Sequence, residues 1–114
     1  MVKNQNIRYH KFMAITNKDK YNKKYGFKKG TSHSRSDISK KTGIPTRILT
    51  EVYKRGIGAY KSNPESVRPS VKSKERWAQA RVYSFIMKQE GTWGRADKDL
   101  ADKVKKLKIK GYSR

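Results

Sequence analysis

At 114 residues, 33% of them hydrophobic and with a mean hydropathy of -1.07, the chain has material for one small domain and not for a core along its whole length. Thirty Lys and Arg against nine Asp and Glu leave a formal charge of +21, which opposes compaction and makes a polyanion the natural partner. The absence of cysteine excludes disulfides and thiolate metal sites. No apolar run approaches the roughly 20 residues that span a bilayer, and the N-terminus lacks the apolar centre of a secretion signal, so no membrane partner is expected.

Residues 1–34 read as a basic, partly extended arm. Ile7–Ile15 (IRYHKFMAI) is its apolar cluster. Ile7 and Tyr9 alternate as in a strand, while Tyr9, Phe12 and Met13 also suit a helix; Ile, Tyr and Phe favour pleated surfaces, so the reading leans to a short strand. The run NKDKYNKKYGFKKGTSHS then interleaves Lys with Tyr21, Tyr25 and Phe27. Rings among cations suit stacking on unpaired bases. The composition reads first as a flexible, solvated arm.

The stretch Ser36–Gly56 organises the remainder. Ser36 or Asp37 can cap a first helix, Ile38 anchors it, and Gly43 ends it with a residue suited to positive φ. Pro45 and Thr46 restart the chain. Ile48, Leu49 and Val52 recur at helical spacing, and Gly56 is expected to close the second helix. The spacing resembles a helix-turn-helix. That motif places a small residue four before the turn glycine and apolar residues five before it and one, six and nine after it; here these are Ser39, Ile38, Ile44, Leu49 and Val52. Thr46, Arg47 and Thr50 would then lie on the outer face of the second helix, where side chains meet base edges. Glu51 sits near that face and would repel phosphate. An ordinary helical hairpin with a solvated basic face has the same spacing.

Residues 55–73 read as a long linker. Gly56 and Gly58 are expected in turns, as are Asn63-Pro64 and Arg68-Pro69; Arg55, Lys61, Arg68 and Lys72 can line a phosphate-facing surface. A helix follows over residues 73–89, capped by Ser73 and ended by Gly91. Ala78, Val82, Phe85 and Ile86 form its apolar stripe, with Trp77 as a core aromatic and Arg76 and Arg81 flanking. A stacking role for Trp77 is the alternative, although such platforms usually sit on strands or loops. A fourth helix is expected over about 97–107, with Asp97 as its cap and Leu100, Val104 and Leu107 as its stripe. The tail carries Lys103, Lys105, Lys106, Lys108 and Lys110.

Asp97, Asp99 and Asp102 fit capping and lysine pairing better than metal binding, since calcium loops need alternating ligands, a glycine and a distal glutamate. His10 and His33 have no acid near them in sequence, and no serine-hydrolase, zinc-protease or phosphate-loop pattern occurs. No catalytic residue, metal or cofactor is expected, and the chain reads as a non-enzyme.

The runs RGIGAYKSNPESVRP, WAQARVYSFIMK and ADKDL, spread over roughly residues 37–100, resemble a family of small basic proteins of large eukaryotic DNA viruses and tailed phages. The resemblance implies a viral or phage protein associated with the virion, and carries no catalytic residues with it. The expectation is a mainly α protein: an arm over 1–34, a small helical domain with a helix-turn-helix-like hairpin over 35–108 and a Lys-rich tail over 109–114. Its helices should cover about 37–42, 46–55, 73–89 and 97–107. Its expected function is nucleic-acid binding, DNA before RNA, mainly through phosphates. Thr46, Arg47, Thr50, Lys54, Arg55, Arg68, Arg76 and Arg81 are the contact residues, and the setting is a virion interior or a host cytoplasm or nucleus. The alternative is a minor capsid or virion structural protein that binds other capsid proteins; a nucleic-acid-processing enzyme is the third reading.

Overall fold

A computed structural model describes residues 16–62 and 73–113. The protein is mainly α, and no strand occurs among the described residues. The strand expected at Ile7–Ile15 and the turns around Pro64 and Pro69 lie outside them. The chain divides into two compact units, one reaching to Thr31 and one starting at Ser32.

In the first unit the expected flexible arm contains a helix, α1 (Asn17–Lys24). A reciprocal cap starts it: the Thr16 Oγ1 accepts from the Asp19 N–H at 3.1 Å, and the Asp19 carboxylate accepts from the Thr16 N–H at 3.2 Å. Lys23 and Lys24 lie at the end where the helix dipole favours cations. Tyr21 packs near Tyr25 and Phe27, with ring centroids 4.8 and 6.2 Å away. The Asn22 side chain donates to the Thr31 carbonyl at 3.1 Å and so closes the loop after the helix. These local bonds hold a segment whose composition alone argues against order.

The second unit begins with α2 (Arg35–Thr42) and α3 (Thr46–Ser62). Ser34 caps α2 by accepting from the Asp37 N–H at 3.0 Å, two residues earlier than Ser36. Gly43 ends it at φ 85°, and its N–H bonds the Ser39 carbonyl at 2.8 Å. Thr42 secures the turn, donating to the Ile38 carbonyl at 2.8 Å and accepting from the Ile44 N–H at 3.2 Å. Ile38, Ile44, Leu49 and Val52 are all fully buried. Burial of each such side chain stabilises by about 1.5–3 kcal/mol, which makes this quartet the clasp of the hairpin.

Gly56 does not end α3, contrary to expectation. The helix runs through both Gly56 and Gly58 to Ser62. A Cβ on Gly56 would lie 2.7 Å from the Ala78 Cα, so the glycine serves close approach to the next helix. That helix, α4 (Lys74–Ile86), is capped by Ser73, whose Oγ accepts from the Arg76 N–H at 3.1 Å. It stops before Gln89 and without Gly91: Met87 is the cap, and Lys88 takes φ 55°. Ala78, Val82, Phe85 and Ile86 are buried as the stripe predicts, with Tyr83 beside them, whereas Trp77 is only half-buried.

A π-helical turn (Thr92–Ala96) leads into α5 (Lys98–Lys106). Leu100 and Val104 are buried, with Ala101 between them, but Leu107 is 47% exposed and leaves the stripe. The central aromatic stack is Phe85, Trp93 and Tyr112, with centroids 5.0 and 5.7 Å apart. Tyr112 belongs to what the sequence presents as a basic tail. Its hydroxyl donates to the Ile86 carbonyl at 2.6 Å, and Lys88 Nζ donates to the Gly111 carbonyl at 2.9 Å. The tail thereby satisfies a carbonyl that the end of α4 leaves open.

Candidate nucleic-acid interface

The expected contact residues separate into two groups. Thr46 and Arg47 stand exposed in the first turn of α3, Lys54 is exposed further along it, and Thr50 is half-buried between them. Arg76 is exposed near the start of α4. Arg47, Lys54 and Arg76 form no ion pair with another described residue. Arg68 lies outside the described residues.

Arg55 and Arg81, the other expected phosphate contacts, are both engaged by carboxylates. Asp97 is fully buried at the start of α5 and holds two guanidinium groups. Arg81 donates to it from Nε at 2.9 Å and Nη2 at 2.8 Å. Arg55 donates to the same carboxylate from Nη1 at 3.1 Å. Arg55 also forks onto Asp99, with both bonds at 2.8 Å, and its Nε meets Glu51 at 3.4 Å. The hydrogen bonds from Arg55 hold the Asp99 carboxyl well below the usual carboxylate range. Chiefly the bond to Asp99 raises the Arg55 guanidinium above its ordinary value, against a smaller opposing effect of burial.

This network also corrects the role of Asp97. It stands at the N-cap position of α5, but its side chain caps no backbone N–H, being turned to the arginines. The network ties α3, α4 and the start of α5 at one point. It also changes the meaning of Glu51, whose negative charge lies beside Arg55 and is partly offset before any phosphate approaches. Asp102 is likewise near cations, Lys98 at 3.2 Å and Lys105 at 3.8 Å.

A groove of about 560 Å³ lies between α3 and α5. Arg47, Ile48, Glu51 and Arg55 form the α3 wall; Leu100, Lys103, Lys106 and Leu107 form the other. Lys103 and Lys106 are exposed and form no ion pair with another described residue. They were visible in the sequence only as members of a lysine run. The signal that separates them is spacing: Lys103 follows Leu100 by three residues and Lys106 follows by three more, so both stay along one edge of α5.

Residues 1–107 match a family described as "Family of unknown function (DUF5824)". The chain belongs to this family. The match covers both units of this DUF5824 protein up to the residue that closes the groove, Leu107. No curated protein and no solved structure matches it.

Proposed function

We propose that this DUF5824 protein binds nucleic acid, DNA in preference to RNA, through phosphate contacts centred on the first turn of α3. One observation carries the reading: Thr46 and Arg47 project from a hairpin whose four apolar helix-turn-helix positions are fully buried, and no acid among the described residues pairs with Arg47. In such a hairpin the N-terminal residues of the second helix face the base edges. An α-helix fits the major groove of B-form DNA, while the corresponding groove of an RNA helix is too deep and narrow to enter. The excess of cations supplies a sequence-independent attraction on top of that geometry. Lys54 and Arg76 add exposed charge on α3 and α4. The resemblance of RGIGAYKSNPESVRP and WAQARVYSFIMK to small basic viral and phage proteins supports a packaged genome as the setting.

The test is a salt series of binding to duplex DNA, single-stranded DNA, RNA and polyglutamate. Duplex DNA should bind most tightly, and Arg47→Ala should remove about 1–3 kcal/mol of that affinity. Polyglutamate binding as tightly as duplex DNA at equal charge would reduce the interaction to charge neutralisation. Together with recovery of capsid protein in a pull-down, it would favour a virion structural role instead.

A further inference from the structure

We infer that α5 forms a second wall of the duplex-binding surface, with Lys103 and Lys106 holding phosphates beside the groove that the start of α3 enters. The inference rests on the nucleic-acid reading above and extends it to a particular form of the polymer and to residues outside the hairpin.

Three observations combine. Arg47 on α3 and Lys103 and Lys106 on α5 line the same groove from opposite sides. All three are exposed cations without an ion-pair partner among the described residues, in contrast to Arg55 at the base of that groove. No aromatic side chain lines the groove among the described residues. Surfaces for single strands combine a basic track with rings on which unpaired bases stack. A basic groove without rings, next to an exposed helix start, instead suits two phosphate rows on either side of an entered major groove.

The separation of the two walls is fixed from within. Arg55 leaves α3 and forks onto Asp99 in the first turn of α5, while Asp97 joins it to Arg81 on α4. Arg55 is therefore a positioning residue for the walls rather than a contact for the polymer.

The experiment compares the slope of log affinity against log salt for duplex DNA in the full chain and four variants. The first is Lys103→Ala/Lys106→Ala, and the second is Arg47→Ala. The third, Lys40→Ala/Lys74→Ala, removes the same charge from two exposed lysines on α2 and α4 that do not line the groove. Each released phosphate contact contributes about 0.9 to the slope. The α5 pair should therefore shallow it by about 1.8 while duplex DNA remains preferred over a single strand; the Lys40/Lys74 pair should leave it unchanged. Lys103→Arg/Lys106→Arg should retain the parental slope, which separates lost charge from lost folding. An unchanged slope in the α5 pair, an equal drop in the Lys40/Lys74 pair, or a single strand bound as tightly as duplex overturns the inference. Failure of the underlying reading looks different: Arg47→Ala then has no effect, and duplex DNA binds no better than polyglutamate.

Discussion

Gly56 and Gly58 stand two residues apart in one helix and have opposite reasons to be there. A methyl group on Gly56 would press on the Ala78 backbone at 2.7 Å, which is not a flexible side-chain end that can step aside. Gly56→Ala should destabilise by about 1–3 kcal/mol, read as a lower urea midpoint. Gly58 has nothing within 4 Å of the same methyl position. Gly58→Ala should stabilise by about 0.5–1 kcal/mol, because glycine is a poor helix former and the unfolded chain loses freedom. Both glycines look alike in the sequence, where they suggest turns. What distinguishes them is a neighbour more than twenty residues away, and no local pattern encodes that distance. Tyr112 was hidden for the same reason: its hydroxyl meets the Ile86 carbonyl across the end of α4. Tyr112→Phe leaves that carbonyl without its donor and should cost about 1 kcal/mol by thermal or urea unfolding.

Among the elements, α2 and the buried face of α3 were legible because their spacing is local. The five-before to nine-after pattern of apolar residues around Gly43 describes contacts within a single hairpin, and all four apolar members are buried. The caps were legible in kind but displaced: Ser34 holds the place expected of Ser36 or Asp37, since three neighbouring side chains are all competent caps. Helix α1 is not legible from composition; its local signal is the Thr16–Asp19 pair that starts it. The arginines read alike in the sequence, since nothing in their own neighbourhoods distinguishes Arg47, which forms no ion pair among the described residues, from Arg55, which meets three acids. The acids that join α3 to α5 give a pH dependence with a definite sign. Asp99 titrates lower in the folded than in the unfolded protein. Its contribution to stability is therefore complete above about pH 4, the ordinary carboxylate range, and declines as the pH falls below it toward the depressed folded value. The side chain is exposed, so the contribution is under about 1 kcal/mol. Urea midpoints of the parent and Asp99→Asn should differ near neutral pH and converge in acid; a constant gap would mean that the fork from Arg55 does not depend on the carboxylate charge.

For the whole molecule, the formal charge of +21 acts on folding and on binding in opposite directions. Screening should relieve repulsion within the free protein, so its thermal midpoint should rise when salt is added. The same salt should weaken its hold on DNA, since fewer counterions are then gained by release. Measuring both on one preparation separates the two effects. A midpoint that falls with salt would mean that the ion pairs around Arg55 outweigh the repulsion.

Asp97 has a consequence for how this fold can change over time. A sealed negative charge shared by two guanidinium groups cannot be removed alone: Asp97→Ala strands Arg81 and should cost about 3 kcal/mol or more. An oily replacement at both places is far cheaper, as apolar packing of similar volume often equals a buried ion pair. Lineages descending from this sequence should therefore alter positions 81 and 97 in step, while a change at position 47, which faces outward, requires no change at either.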